Sequence, residues 1–418
     1  THVYPFSPYY RKLFDDHKID PKSIRTVEDL KRIPFSSKHD LVTRESPLQY
    51  KDFILAPDQE KIRLCWPASK LIQLGLTSLL KGKEYVADQL SKEYRPVFMT
   101  FTTGTTSAPV PFTYSRFDLD NLNISGARMV GLFDIKPDER IMNIFPFAPH
   151  LAFWQVFFGG IEANVFCFST GGGKVLGTDG NMTAMLRIKP SVILGVPSYI
   201  YHLVRFAQEK GHDLSFIKKI VLGAAKVTIP YKQKLAQMLA EQGARDVRIF
   251  GTYGFTEARS AWAECPADNH LSSGYHLYPD KEIFEIIDPG TGEVKGENED
   301  GELVYTNLDA RASVVLRFRP GDFVKGGITH EPCPFCGRRT LRLSSDISRL
   351  SDTKDLQLSK VKGTLVNLNH FGMVLNDISD IDEWQIEIRK HNNDPYEVDE
   401  VIVYITPKLG VGEAYICN

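Results

Sequence analysis

The chain has 418 residues, 42% of them hydrophobic and 24% charged, with a formal net charge of −2. This composition excludes a disordered or collagen-like chain, and the near-neutral charge gives no broad electrostatic footprint for nucleic acid or an anionic membrane. No apolar run approaches the roughly 18 residues that span a bilayer. One hydrophobic core does not extend over such a length, so two or three domains are expected. The opening residues show no basic-then-apolar leader, and six cysteines are few for a disulfide framework, so a reducing, cytoplasmic setting is expected.

Residues 1–96 read as a helical opening region. Residues 26–29 have capping-box character ahead of Leu30 and Ile33, and Pro34 stops that helix. Residues 68–90 carry Leu, Ile and Val at helical spacing, interrupted by Gly75 and Gly82. From residue 97 the texture changes. Apolar strands are expected at 97–102, 141–145, 164–168, 191–196, 219–222 and 247–253. They alternate with helices at 117–132, 182–188, 198–210 and 231–242. Ser115 and Asp118 suit the start of the first of these helices. Near-continuous apolar strands in such alternation predict an α/β fold, a parallel sheet flanked by helices, over 97–257. Ligands of such sheets bind at the carboxyl ends of strands, where the loops at 102–106 and 251–257 are expected. Strands at 284–287, 302–308 and 314–318, around a turn at 288–292, predict a β-rich subdomain over 258–343. These three regions together form a large domain, 1–343. Residues 344–418 read as a small α+β domain with strands at 384–389 and 400–405.

Three stretches carry chemistry. The first is Thr102-Thr103-Gly104-Thr105-Thr106, whose hydroxyls and backbone N–H groups can face a phosphate. It lacks the Gly-Lys-Ser/Thr ending of a P-loop, and alone it reads more readily as a plain turn. The second is Gly251-Thr252-Tyr253-Gly254-Phe255-Thr256-Glu257. It offers an aromatic face for a base, a hydroxyl for a phosphate and a carboxylate for Mg²⁺. The third is Pro320-Gly321-Asp322, a turn whose carboxylate can accept from two ribose hydroxyls. Separately, Cys333-Pro334-Phe335-Cys336 is a thiolate pair spaced for one side of a tetrahedral Zn²⁺. A redox pair is the alternative, without the strand–motif–helix context of thioredoxins.

In this order and spacing the three motifs resemble those of the adenylate-forming enzymes, and within them the phenylacetate–CoA ligase family. The resemblance runs from residues 6–14 to about Gly363. It implies that Thr102, Thr103, Gly104, Thr105 and Thr106 grip the ATP phosphates. Tyr253 would stack on adenine, with Gly223, Ala224 and Ala225 opposite and Gly251 and Gly254 allowing close approach. Thr256 would touch the α-phosphate, Glu257 would hold Mg²⁺, and Asp322 would hold the ribose. Arg349 would match the arginine at the hinge between the domains. Phe147, His150, Phe153 and Trp154 fall where the family builds its acyl pocket; core packing is the alternative for each. Members that resemble zinc proteins imply that Cys265 and His276 join Cys333 and Cys336, with His270 competing for the histidine place.

The activity so implied is ATP-dependent conversion of an aryl or other apolar carboxylic acid to an acyl-adenylate, then transfer to coenzyme A. Its cofactors would be ATP, Mg²⁺, coenzyme A and a structural Zn²⁺. Its partners would be the acid and coenzyme A, without nucleic acid or membrane, and with a homodimer as a candidate assembly. The alternatives are another acyl acceptor, or a nucleotide-binding homologue without turnover. Four places depart from the family pattern. Ser107 replaces a second loop glycine, Ala225-Lys226 replaces Glu-Pro, Pro320 replaces Thr, and Ser348 replaces the glycine before Arg349. No position near the carboxyl end matches the family's adenylation lysine, so either the small domain is incomplete or the adenylation half-reaction works differently here.

Overall fold

The computed structural model describes residues 2–42, 48–102, 109–350, 358–361, 364–367, 375, 378 and 381–407. The opening region is a set of short helices, α1 (Val3–Phe6), α2 (Pro8–Asp16), α3 (Lys38–Leu41), α4 (Gln59–Cys65), α5 (Ala68–Lys81) and α6 (Lys83–Tyr94), with one short strand, β1 (Ser36–Ser37). Ser7 caps α2 by accepting from the Tyr10 N–H, and Pro8 fits its first turn, where an N–H would be unbonded anyway. The expected helix after residue 26 is only a single 3₁₀ stretch, Glu28–Arg32. The long helix expected over 68–90 is two helices, because Gly82 takes φ 93°, which a helix cannot continue through.

The strand expected at 97–102 is β2 (Phe98–Phe101), but it does not join the parallel sheet. It pairs antiparallel with β3 (Pro111–Tyr114) as a separate two-stranded ribbon, Phe98 opposite Tyr114 and Phe101 opposite Pro111. The strand before the hydroxyl-rich stretch therefore pairs with the strand after it instead of lying in the parallel sheet. The cause is the second apolar run: every residue of β3 is buried.

The α/β core follows, with α7 (Arg116–Leu132), β4 (Arg140–Asn143), α8 (Leu151–Glu162), β5 (Phe166–Ser169), α9 (Gly173–Ile188), β6 (Val192–Gly195), α10 (Pro197–Glu209), β7 (Lys219–Leu222), α11 (Ile229–Glu241) and β8 (Arg248–Phe255). Strands β5, β4, β6, β7 and β8 lie side by side and parallel. Alternate residues feed two cores. Ile141, Val192, Val221 and Phe250 face one core with Phe133 and Phe153. Met142, Ile193, Ile220 and Ile249 face the other, packed on α9, α10 and α11. That two-sided burial is why the strands read as continuous apolar runs. Helices α7 and α8 pack closely through two glycines: a Cβ on Gly126 would lie 2.5 Å from the Gly159 Cα.

The sheet continues past residue 257 with antiparallel strands β9 (Ser260–Ala263) and β10 (Tyr275–His276). A second sheet carries β11 (Glu282–Ile287), β12 (Gly301–Asn307), β13 (Phe318–Arg319) and β14 (Asp322–Lys325). β15 (Ile328–Thr329) and β16 (Arg342–Leu343) return to the first sheet, and β17 (Asp346–Arg349) closes the second against β14. The strand expected at 314–318 forms only at its end. Val314 and Val315 are buried, but their N–H groups bond Phe53 and the Asn307 side chain, and Arg317 takes φ 43°. The small unit shows two hairpins, β18 (Leu358–Val361) with β19 (Thr364–Asn367), and β20 (Ile381–Lys390) with β21 (Asp399–Pro407). The turn between the last two docks on α10. Tyr201 donates to Asp394 at 2.8 Å, His202 Nδ1 lies 2.8 Å from Glu397 Oε1, and Tyr396 packs on Tyr201 and Tyr231.

Candidate functional site

Three of the motifs meet at one backbone atom. The carbonyl of Phe101, the last residue of β2, accepts from the Thr256 hydroxyl at 3.4 Å and from His150 Nδ1 at 3.0 Å. A carbonyl can only accept, so His150 carries its proton on Nδ1. The Phe101 N–H in turn donates to Pro149 O at 2.7 Å. Thr102 pins the base of the hairpin loop: its backbone N–H donates to Val110 O at 2.9 Å, and its hydroxyl accepts from Val110 N–H at 3.0 Å. The hydroxyl-rich loop thus springs from the point where the aromatic stretch and the Thr256 turn converge. Thr103, Gly104, Thr105, Thr106 and Ser107 lie outside the described residues.

Strand β8 carries Gly251, Tyr253 and Gly254 and ends in the turn Thr256–Ala258. Arg259 closes that turn in a left-handed conformation, φ 57°, and is buried with its guanidinium 3.0 Å from Asp118 Oδ1. Tyr253 donates to Asp322 Oδ2 at 2.6 Å. Arg349 Nε lies 3.1 Å from the other oxygen, Asp322 Oδ1, and the two residues are register partners across β14 and β17. Burial pushes the Tyr253 phenol well above its ordinary range, and the Asp322 carboxylate beside it pushes the same way. Burial also raises the Glu257 carboxyl, against the pull of its own backbone N–H and of the Arg349 and Lys38 cations. Tyr253, Glu257, Asp322 and Arg349 are therefore one group of interacting side chains. Gly223 is buried at the end of β7 beside the Thr252 hydroxyl, while Ala224 is exposed with φ 67° and Ala225 is half-buried.

Lys38 belongs to this group and was not singled out from the sequence. It opens α3, is half-buried, and its ammonium pKa is lowered by burial while the Glu257 carboxylate opposes that shift. The available signal was local: Ser37 and Asp40 form a capping box that fixes the turn in which Lys38 sits.

The aromatic stretch is partly core and partly surface. Phe153 is buried, Phe147 is 63% exposed, and Trp154 spans them with ring centroids 5.2 and 5.8 Å away. Trp154 Nε1 donates to Ala148 O at 3.2 Å, holding the turn before α8.

The four sulfur and nitrogen ligands also come together. Cys265, His276, Cys333 and Cys336 place their ligand atoms within 4.8 Å of one another. Cys265 Sγ is 3.5 Å from Cys333 Sγ, and Cys336 Sγ is 3.7 Å from His276 Nε2. Thiolates around a tetrahedral Zn²⁺ at ~2.3 Å would be ~3.8 Å apart, so the spacing suits that ion. His276 Nδ1 is 3.1 Å from the Thr340 hydroxyl, which leaves Nε2 facing the thiols. Burial lowers the His276 pKa to about 4, so the ring is neutral and able to ligate. His270 bonds Gln233 instead and stands outside the cluster.

Hydroxyls, a half-buried tyrosine and a carboxylate at strand ends suit a protein that holds an adenylate. The chain belongs to the AMP-binding enzyme family, whose model matches residues 17–307. It is similar to the phenylacetate-coenzyme A ligase of Thermus thermophilus, 26% identical over 412 residues, covering 93% of this chain and 78% of that one. It is 26% identical to the ligase of the same name from Aromatoleum evansii, covering 78% of this chain and 63% of that one. In fold it resembles a 2-hydroxyisobutyryl-CoA ligase in complex with 2-HIB-AMP and CoA in the thioesterification state. That match has a TM-score of 0.73 and 20% identity, and covers 99% of this chain and 78% of that one. No helix among the described residues is long and apolar enough to cross a membrane.

Proposed function

We propose that this chain activates an aryl or other apolar carboxylic acid with ATP and passes the acyl group to coenzyme A. The observation that carries the reading is the convergence on the Phe101 carbonyl, just before the hydroxyl-rich loop, of the Thr256 turn and the aromatic stretch. The phenylacetate–coenzyme A ligases among its relatives support the same reaction class.

The acid's carboxylate attacks the α-phosphorus of ATP, the bond to pyrophosphate breaks, and an acyl-adenylate remains. The thiol of coenzyme A then attacks the acyl carbon and AMP leaves. No protein nucleophile is required, so this chain's own work is alignment and charge stabilisation. The loop from Thr102 to Thr106 supplies donors to the phosphates, and Thr256 reaches the α-phosphate. Tyr253 presents its face to adenine, with Gly223, Ala224 and Ala225 opposite. Asp322 exchanges its bonds with Tyr253 and Arg349 for the ribose hydroxyls. Glu257 is the carboxylate that would hold Mg²⁺, which neutralises the phosphate charge when bound. Phe147, His150, Phe153 and Trp154 border the acid. The Cys265, His276, Cys333 and Cys336 set would hold a structural Zn²⁺, since all four tetrahedral positions are filled by protein. We place the protein in the cytoplasm.

The reading is tested by incubating the protein with ATP, Mg²⁺, coenzyme A and a panel of aryl and alkyl acids. AMP and an acyl-CoA should form together with at least one acid. AMP release without need of coenzyme A, or with an amine instead, would move the protein to a different acceptor.

A further inference from the structure

Two of the four clustered ligands have neighbours that reach into the nucleotide group. Glu264, immediately before Cys265, is 3% exposed. Its carboxylate accepts from Lys232 Nζ at 2.6 Å, from the Ser272 hydroxyl, and from the backbone N–H of Gly251. Gly251 permits that approach, since a Cβ there would lie 3.0 Å from Glu264 Oε2. The Glu264 N–H returns a bond to Gly251 O at 3.1 Å. On the other arm, Tyr275 immediately precedes His276. Its ring lies 5.9 Å from that of Tyr253 at an interplanar angle of 28°, a stacked arrangement. Tyr253 is the residue that also holds Asp322.

The segments carrying these residues are a loop and a very short strand rather than long elements. Strand β10 is two residues long, with His276 opposite Ala263 and Arg342. The Cys265 N–H bonds the Ser273 hydroxyl at 3.0 Å, within the same loop. Ligand atoms from β10, from the end of β9 and from the 333–336 turn are crowded together, and a bound ion is what would join them.

We propose that Glu264 and Tyr275 are positioning residues for the nucleotide pocket, through which metal held by the adjoining Cys265 and His276 sets nucleotide affinity. Glu264 fixes the backbone of β8 at Gly251. Tyr275 supports the far face of Tyr253, leaving the near face for adenine. Metal loss loosens the loop and short strand that carry both. The metal then governs ligand binding as well as stability.

This rests on the nucleotide reading of the site, and the test separates the two. AMP affinity is measured by calorimetry for zinc-loaded protein, for the same protein after chelation, and for zinc-loaded Tyr275→Phe and Tyr275→Leu. Circular dichroism and zinc content are recorded on each. Tyr275→Phe keeps the ring and should bind as wild type. Tyr275→Leu should bind about fivefold more weakly at unchanged zinc content, the loss of ~1 kcal/mol of ring contact. Chelated protein should lose at least about tenfold while its helix and strand content persist. If chelation unfolds the protein, Tyr275→Leu decides alone. AMP binding that is unchanged in Tyr275→Leu, or in folded chelated protein, overturns the proposal. Absence of AMP binding in zinc-loaded wild type overturns the nucleotide reading and this proposal with it.

Discussion

Replacing Arg259 with Met removes the cation from a buried ion pair just behind the Thr256–Ala258 turn. Arg259 and Asp118 are 5% and 3% exposed at their side chains, so neither charge is compensated by water. Breaking such a pair costs about 3–5 kcal/mol. Asp118 would keep the N–H groups of Ser115, Arg311 and Ala312, at 2.9, 2.9 and 2.8 Å. The carboxylate is therefore not left bare, and Arg259→Met should fall near the low end, about 3 kcal/mol. Asp118→Asn should cost more. Its amide N–H₂ would face those same donors, and the guanidinium would keep the Thr113 carbonyl at 3.2 Å but no anion. The double variant should be better than the sum of the singles by at least ~1 kcal/mol, because each single strands a charge that the double does not. Urea unfolding of the four proteins, followed by tryptophan fluorescence and circular dichroism, gives the cycle. A cost below about 1 kcal/mol for Arg259→Met, or strict additivity, would refute the assignment of this pair as a buried clamp.

Protein purified without chelator should contain one zinc per chain, and Cys333→Ser should abolish it; metal analysis of the wild type that finds none removes the zinc site. Burial pushes the Glu282 carboxyl up to about 7 from 4.5, with Trp262 and the Tyr278 N–H as its partners. The folded state therefore holds this proton more tightly. Its contribution, at most about 3 kcal/mol, is full below pH 4.5 and lost as pH rises through 7. Melting curves between those limits should show the loss in wild type and not in Glu282→Gln; parallel profiles would refute it. Glu397 is 1% exposed against His202, so Glu397→Ala should detach the 391–398 turn from α10. Amide exchange over 381–407 should then rise about tenfold or more; unchanged protection would mean that the contact is incidental.

Much of the fold was legible because buried parallel strands must be apolar on both faces. Residues 141–145, 191–196 and 219–222 could hardly be anything else. The capping box at Ser115 and Asp118 was equally local, and it is present. What sequence could not show was pairing at a distance. The β2–β3 hairpin was missed because no strand was expected between 102 and the helix at 117. In the structure Pro111 stands at the first position of β3, where its missing N–H is tolerated. Residues 314–316 were read as a strand from their apolar run. Their N–H groups instead find Phe53, Asn307 and the Tyr10 hydroxyl, partners far away in the chain. The same limit applies at the site. The motif order pointed to Tyr253, Glu257 and Asp322, but Lys38 and Tyr275 join them only through folding. Cys333 and Cys336 were read from their spacing and Cys265 and His276 from the resemblance, and the four ligand atoms lie within 4.8 Å of one another.

The central claim is that the grouped loop, turn and carboxylates adenylate a carboxylic acid. Isotope exchange between pyrophosphate and ATP tests it most directly, because it reports the first half-reaction alone. With zinc-loaded protein and Mg²⁺, exchange should require an added acid, be strongest with an apolar aryl acid, and need no coenzyme A. It should fall by at least about tenfold in Glu257→Gln. Folded, zinc-loaded protein that binds ATP yet exchanges nothing with any acid in the panel would contradict the account.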